Sequence, residues 1–291
     1  MLGVRGSGTS SALVILVETS IDENSDGERM EGTSSDDGLG IMHTLRDLVL
    51  FISCYLALNL QNDLVVLALH NGDCHYLYES PKSKLRRGVR VQPPVSDVCK
   101  EIITRIFRIS SSPLQSPSGD ASSSGSESPL AAGLSMALCH IQRLGTGSFR
   151  GLRRIFCLLR SPVSQRQYIP MMNVIFAAQQ AFVTIDSYSL CDMHSDILEQ
   201  AANMTNGLHR KLQKDGELGQ HLLTFSSWSQ TCRHSLLPGK QCGVDFKTFC
   251  FCHKKTLQRG FVCSACLSIS CVALKTGGDC MTCAANFDTC S

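Results

Sequence analysis

Two Cys-x-x-Cys pairs, Cys263-Ser-Ala-Cys266 and Cys280-Met-Thr-Cys283, stand thirteen residues apart near the end of the chain. Each pair turns two sulfurs toward one point, and two such pairs complete a tetrahedron of thiolates, the arrangement that holds Zn²⁺ in structural sites. With all four positions taken by protein, no water is left to activate, so a metal held this way folds the chain and does no chemistry. Gly260 precedes the first pair, and Gly277 and Gly278 precede the second, where the backbone must turn tightly. A redox reading is weaker, because thioredoxin-like pairs open a helix after a strand and do not come in twos.

Cys250, Cys252 and Cys271, with His253 beside them, are left over. They either bind a second zinc in a cross-braced, RING-like arrangement or pack as buried thiols. Eight of the sixteen cysteines fall at or after position 250. That clustering predicts metal binding in a reducing compartment and argues against a disulfide framework.

The remaining chain is long enough for one large domain before this module. Apolar residues make up 43% of the full sequence, enough for a real core, and only 18% are charged. A net charge of +2 gives no global field toward nucleic acid. No charged start with an apolar run behind it is present, so no signal peptide is expected. No apolar run reaches the roughly 20 residues that cross a bilayer.

Ala12–Val17 is a continuous apolar run, as in a parallel strand buried on both faces. Residues 23–40 read as an acidic loop. Ile41, Leu45, Leu48, Ile52, Leu56 and Leu60 give one helical face. A second strand over Leu64–Leu69 and an edge strand over Cys74–Tyr78 flank a turn at Asn71-Gly72. Ser96 is expected to cap a helix to Ile109, with Val98, Ile102 and Ile106 inward. Residues 110–128 are a Ser/Pro/Gly-rich insertion. Ser128-Pro129 is expected to open the next helix, with Leu130, Leu134, Leu138 and Ile141 as its apolar stripe. Strands over Leu152–Leu159, Phe182–Ile185 and Leu208–Leu212 follow. Helices are expected from Pro170 to Ala181, over Leu218–Phe225, and from an Asp196/Glu199 capping box to about Gly207. Alternating strands and helices predict an open α/β sheet with helices on both faces.

Function in such a sheet sits beyond the carboxyl ends of the central strands. The first strand delivers Glu18, Ser20 and Asp22 there, oxygen side chains at alternate positions, as a hard cation would need. The next strand end supplies Arg160-Ser161-Pro162 and no second acid, so polar loop capping is the stronger reading. No Ser/His/Asp spacing is recognisable. Gly145-Thr-Gly147 and Pro238-Gly-Lys240 lack the glycines of phosphate loops. The basic stretch Lys82, Lys84, Arg86, Arg87, Arg90 has no interleaved aromatics and reads as a solvated loop.

Glu18-Thr19-Ser20 stands where von Willebrand A domains carry Asp-x-Ser-x-Ser. Tyr168-Ile-Pro-Met-Met-Asn173-Val-Ile-Phe-Ala-Ala-Gln179, Ile185-Asp186, Leu198-Glu-Gln-Ala-Ala202, Thr205-Asn-Gly207 and Val244-Asp-Phe246 follow. With Cys250-Phe-Cys-His253 and Val262-Cys-Ser-Ala-Cys-Leu-Ser-Ile269, the chain resembles the small von Willebrand A-type subunits of general transcription factor TFIIH. The resemblance implies a von Willebrand A-like domain over 12–235 and a C4-type zinc finger module over 244–287. It implies a nuclear, non-catalytic core subunit that pairs with the larger A-domain subunit beside the helicase subunits. Such a subunit meets DNA only through the complex, takes no small-molecule substrate or membrane, and serves RNA polymerase II initiation and nucleotide excision repair. The alternative is a RING-like, zinc-dependent ubiquitin ligase module. The helix from Pro170 is apolar over most of its circumference, and part of it, Met172 included, is expected to meet the partner subunit.

Overall fold

The structure, a computed structural model, describes residues 10–19, 36–59, 61–81, 85–86, 89–90, 93–111, 129–145, 151–161, 163, 167–190, 195–212, 217–226, 244, 246, 248–250, 253, 256–266, 268–271 and 280–285. In chain order the first part runs β1 (Ser11–Glu18), α1 (Asp36–Leu58), β2 (Asp63–His70), β3 (Asp73–Glu79), β4 (Leu85–Arg86), β5 (Val89–Arg90), α2 (Val95–Ser110) and α3 (Leu130–Gly145). It continues with β6 (Leu152–Leu159), α4 (Tyr168–Gln180), β7 (Thr184–Ser189), α5 (Asp196–Met204), β8 (His209–Lys211) and α6 (Glu217–His221), which widens into a π turn over Leu222–Ser226. Four two-residue strands close the chain: β9 (Thr248–Phe249), β10 (Thr256–Leu257), β11 (Phe261–Val262) and β12 (Ile269–Ser270). Among the described residues no helix is long and apolar enough to cross a membrane.

Six strands form one sheet in the order β3-β2-β1-β6-β7-β8, parallel except for β3. Side chains alternate across a strand, so β1 feeds two cores. Leu13, Ile15 and Val17 pack with α1, α2 and α6, while Val14 and Leu16 pack with α3, α4 and α5. Burial on both faces is why β1 and β2 read as unbroken apolar runs. In the first core Phe51 stacks on Phe156 at a centroid distance of 5.8 Å, and Tyr188 lies tilted against Phe156 at 5.0 Å. Asn71 (φ 48°) and Gly72 (φ 86°) form the tight turn into β3, which lies at the sheet edge.

Several boundaries differ from the sequence reading. The first helix starts at Asp36, inside the stretch read as loop. Pro94 stands at the start of α2, and Ser96 lies within it, with its hydroxyl on Asp97. Pro129 precedes α3, and its carbonyl accepts the Gly133 N–H. Ser195 flanks α5, and no side-chain cap bond forms there. The residues 112–128 of the insertion, and Ser20 to Ser35, lie outside the described residues.

Phe182, read as the first residue of a strand, instead ends α4. Val183 N–H bonds to Ala178 O at 2.9 Å and Phe182 N–H to Gln179 O at 3.1 Å. This pair of bonds requires a left-handed residue at the turn, and Phe182 supplies it at φ 53°. Asn206 (φ 56°) plays the same part after α5, with Gly207 N–H on Ala202 O. Asparagine is at home there; a phenylalanine is not.

Candidate metal centre

The switch point of the sheet lies between β1 and β6, where connections depart in opposite directions. Glu18, buried at the end of β1, projects a carboxylate there. Its Oε2 accepts the N–H groups of Arg160 and Ser161, both at 2.8 Å, and its Oε1 accepts the Ser161 hydroxyl. Three donors from the segment leaving β6 thus satisfy a carboxylate that the sequence offered as a cation ligand. Ser20 and Asp22, the other two oxygens of that reading, lie outside the described residues. No sequence pattern pointed to Arg160 and Ser161 as partners of Glu18. Two of the donors are backbone groups, which every residue carries.

The second half of the sheet is tied by a clasp between α5 and β7. Thr205 Oγ1 accepts the Ile185 N–H at 3.0 Å and donates to Ala201 O at 2.7 Å. Asp186 Oδ1 accepts the Leu208 N–H at 2.9 Å. A Cβ on Gly207 would stand 1.8 Å from Ile185 O. Ile185-Asp186 and Thr205-Asn206-Gly207 are therefore one physical unit, and Gly207 is there for close approach while Asn206 makes the turn.

In the C-terminal module, β9 pairs with β10 and β11 with β12, each antiparallel. Cys263 follows β11, and its N–H closes the β11–β12 loop on Ser268 O at 2.9 Å. The other pair is closed by Cys280 N–H on Ala285 O and Ala284 N–H on Cys280 O, with Ala284 at φ 55°. The four sulfurs of Cys263, Cys266, Cys280 and Cys283 lie within 4.8 Å of one another. Cys263 and Cys283 are 3.8 Å apart, and Cys266 and Cys280 are 3.7 Å apart. A zinc–sulfur bond of about 2.3 Å gives a tetrahedral edge of about 3.8 Å. The donor set and spacing therefore fit a divalent metal of zinc's size.

Ser268, which the sequence reading passed over, is buried between two of these sulfurs. Its hydroxyl lies 3.1 Å from Cys266 Sγ and 3.5 Å from Cys280 Sγ. The Ser268 hydroxyl, with the N–H groups of Cys283 and Thr282, pulls the Cys280 thiol down to about 5, so it is a thiolate at neutral pH. The Ser268 hydroxyl likewise holds Cys266 below the usual thiol range. Of the left-over set, Cys250 and Cys271 converge with His253, while Cys252 lies outside the described residues. Gly277 and Gly278 also lie outside them, as do Lys82, Lys84 and Arg87 of the basic loop.

Sheet order, helices on both faces and a cysteine-rich tail define a von Willebrand A-like domain followed by a small module that can hold a metal ion. Residues 10–284 match the family described as "Transcription factor Tfb4", and the chain belongs to that family. It is 34% identical over 249 residues to the Arabidopsis thaliana "General transcription and DNA repair factor IIH subunit TFB4", covering 84% of this chain and 81% of the relative. It is 30% identical over 274 residues to the Dictyostelium discoideum "General transcription factor IIH subunit 3", covering 89% and 72%. Its fold is similar to the crystal structure of the TFIIH p34 N-terminal domain, with a TM-score of 0.56 at 22% identity over 74% of this chain and 97% of that one. It is also similar to a von Willebrand factor type A protein from Catenulispora acidiphila, with a TM-score of 0.50 at 10% identity over 75% and 42%.

Proposed function

We propose that this chain is a non-catalytic core subunit of TFIIH, acting by shape in RNA polymerase II initiation and nucleotide excision repair in the nucleus. Its A-like domain, over 12–235, pairs with the larger A-domain subunit, and the helicase subunits lie beside that pair. Its C-terminal module, over 244–287, is held by a structural Zn²⁺ on Cys263, Cys266, Cys280 and Cys283. DNA is met through the assembled complex.

Glu18 carries this reading. In a cation-dependent A domain the ligand would reach the protein through a metal at the carboxyl edge of the sheet. Here the carboxylate at that edge accepts donors from its own chain instead. Binding then falls to side surfaces, and α4 offers one. Met171, Val174, Ile175 and Ala178 are buried, and Phe176 is exposed on the other side. Met172 packs partly against the core, so a charge there would disturb the fold as well as a partner. Phe176 and Phe182, exposed by 49% and 91%, can meet a partner without supporting the core.

The test is co-expression with the larger A-domain subunit, followed by size exclusion and incorporation into the purified complex. A stable heterodimer that enters TFIIH is expected. A chain that stays alone when the partner is in excess, and is absent from purified TFIIH, defeats the proposal. The ubiquitin-ligase alternative rests on the interleaved cysteines, and discharge of a charged conjugating enzyme by the full chain would favour it.

A further inference from the structure

Cys250, His253 and Cys271 have no place in the four-thiolate cluster, yet the fold brings them to one point. Cys250 follows β9 directly and is fully buried. Cys271 follows β12 directly. The two short strands pack against each other, so their ends deliver both sulfurs to the same side. His253 comes from the turn after Cys250, with Nδ1 3.8 Å from Cys250 Sγ and 3.0 Å from Cys271 Sγ. The three ligand atoms lie within 4.8 Å of one another. Bonds of about 2.3 Å to sulfur and about 2.0 Å to nitrogen give a tetrahedral sulfur–nitrogen edge of about 3.5 Å, which the two observed distances bracket.

The alternative roles of these atoms fit less well. Neither cysteine is in a disulfide. A pair buried as small hydrophobes would shed polar neighbours. Instead an imidazole nitrogen faces both sulfurs, and the Cys271 N–H points at Cys250 Sγ at 3.3 Å. The same kind of bond, Thr282 N–H to Cys280 Sγ at 3.4 Å, occurs in the four-thiolate cluster. An N–H aimed at sulfur favours the charged thiolate, the form that ligates metal.

We propose that Cys250, His253 and Cys271 form a second transition-metal site, taking Zn²⁺ through two thiolates and one imidazole. Three protein donors leave one coordination position for water or another donor. In chain order its ligands interleave with the four-thiolate set: Cys250 and His253, then Cys263 and Cys266, then Cys271, then Cys280 and Cys283. The β11–β12 hairpin carries Cys263 after its first strand and Cys271 after its second, so one hairpin serves both sites. Gly260 lets the approach to this hairpin lie flat against it. A Cβ there would come within 2.7 Å of Ile269 Cγ2. The module is thus braced by two ions. The proposal extends the reading of the four-thiolate site but stands on different atoms.

The experiment counts zinc on the full chain, expressed with zinc and measured by native mass spectrometry and elemental analysis. Wild type is expected to carry two ions, and Cys271→Ser and His253→Ala one each. His253 is exposed, so its removal leaves packing intact if Cys271→Ser fails to fold. His253→Cys should restore the second ion, which a merely structural histidine would not predict. One zinc on wild type that Cys280→Ser loses, or an unchanged count in His253→Ala, overturns the second site. Cys280→Ser reads the four-thiolate site separately. If its count holds while His253→Ala loses an ion, the four-thiolate reading fails and this one stands. No zinc on wild type overturns both.

Discussion

Replacing Glu18 by glutamine keeps the side chain's shape and puts an amide NH₂ among groups that themselves donate. Hydrogen bonds to a buried charge contribute about 1.5–3 kcal/mol, and the orphaned donors add to the loss. Glu18→Gln should lower stability by about 2 kcal/mol or more, read from the denaturant midpoint at constant slope. Millimolar Mg²⁺ should leave the wild-type Tm where it is, because the carboxylate already has its partners. Phe182 gives a prediction of opposite sign for stability. A bulky residue in the left-handed region costs about 1–2 kcal/mol, and asparagine is relieved of most of that. Phe182→Asn should therefore raise stability by about 1 kcal/mol while weakening the pairing proposed with the larger A-domain subunit. Chemical denaturation and titration calorimetry on the same variant check both. A gain in stability with unchanged affinity would leave the residue strained for no partner.

At the level of elements, the clasp between α5 and β7 is the most sharply constrained. Gly207→Ala places a methyl inside the van der Waals shell of a backbone carbonyl, so α5 must shift off the sheet. A loss of about 3 kcal/mol or more is expected, measured by thermal and denaturant unfolding. Most of these elements were legible beforehand. The parallel strands were found because double-sided burial leaves unbroken apolar runs such as Leu13–Val17, and α2 because Val98, Ile102 and Ile106 recur at the helical period. What escaped was decided by contacts between distant residues or by backbone bonds. Phe182 looked like the start of an apolar strand, and only the Val183–Ala178 bond places it at a helix end. Ser96 and Asp196 were capping residues by type, but the residues that flank their helices are Pro94 and Ser195.

In the molecule as a whole, the module and the sheet depend on different forces, so chelation should separate them. Stripping zinc should abolish the near-ultraviolet and exchange-protection signals of 248–285 while leaving the far-ultraviolet signature of the six-stranded sheet. Acid should act on the module through Cys280. Its thiol is depressed to about 5 from an ordinary value near 9, so the stability it contributes is present above the ordinary value and is lost as pH falls through about 5. Cobalt-loaded protein should lose its charge-transfer absorption over the same range. The spacing of the Cys-x-x-Cys pairs announced this cluster from sequence, whereas Ser268 lay hidden because a lone serine signals nothing until two sulfurs close around it. The bond from Glu18 to Arg160 and Ser161 has a further meaning for timing. A cation-gated A domain alternates between a receptive and an unreceptive form as the ion comes and goes. With its own chain supplying the donors, the proposed pairing surface waits for no ion and is complete as soon as the domain has folded.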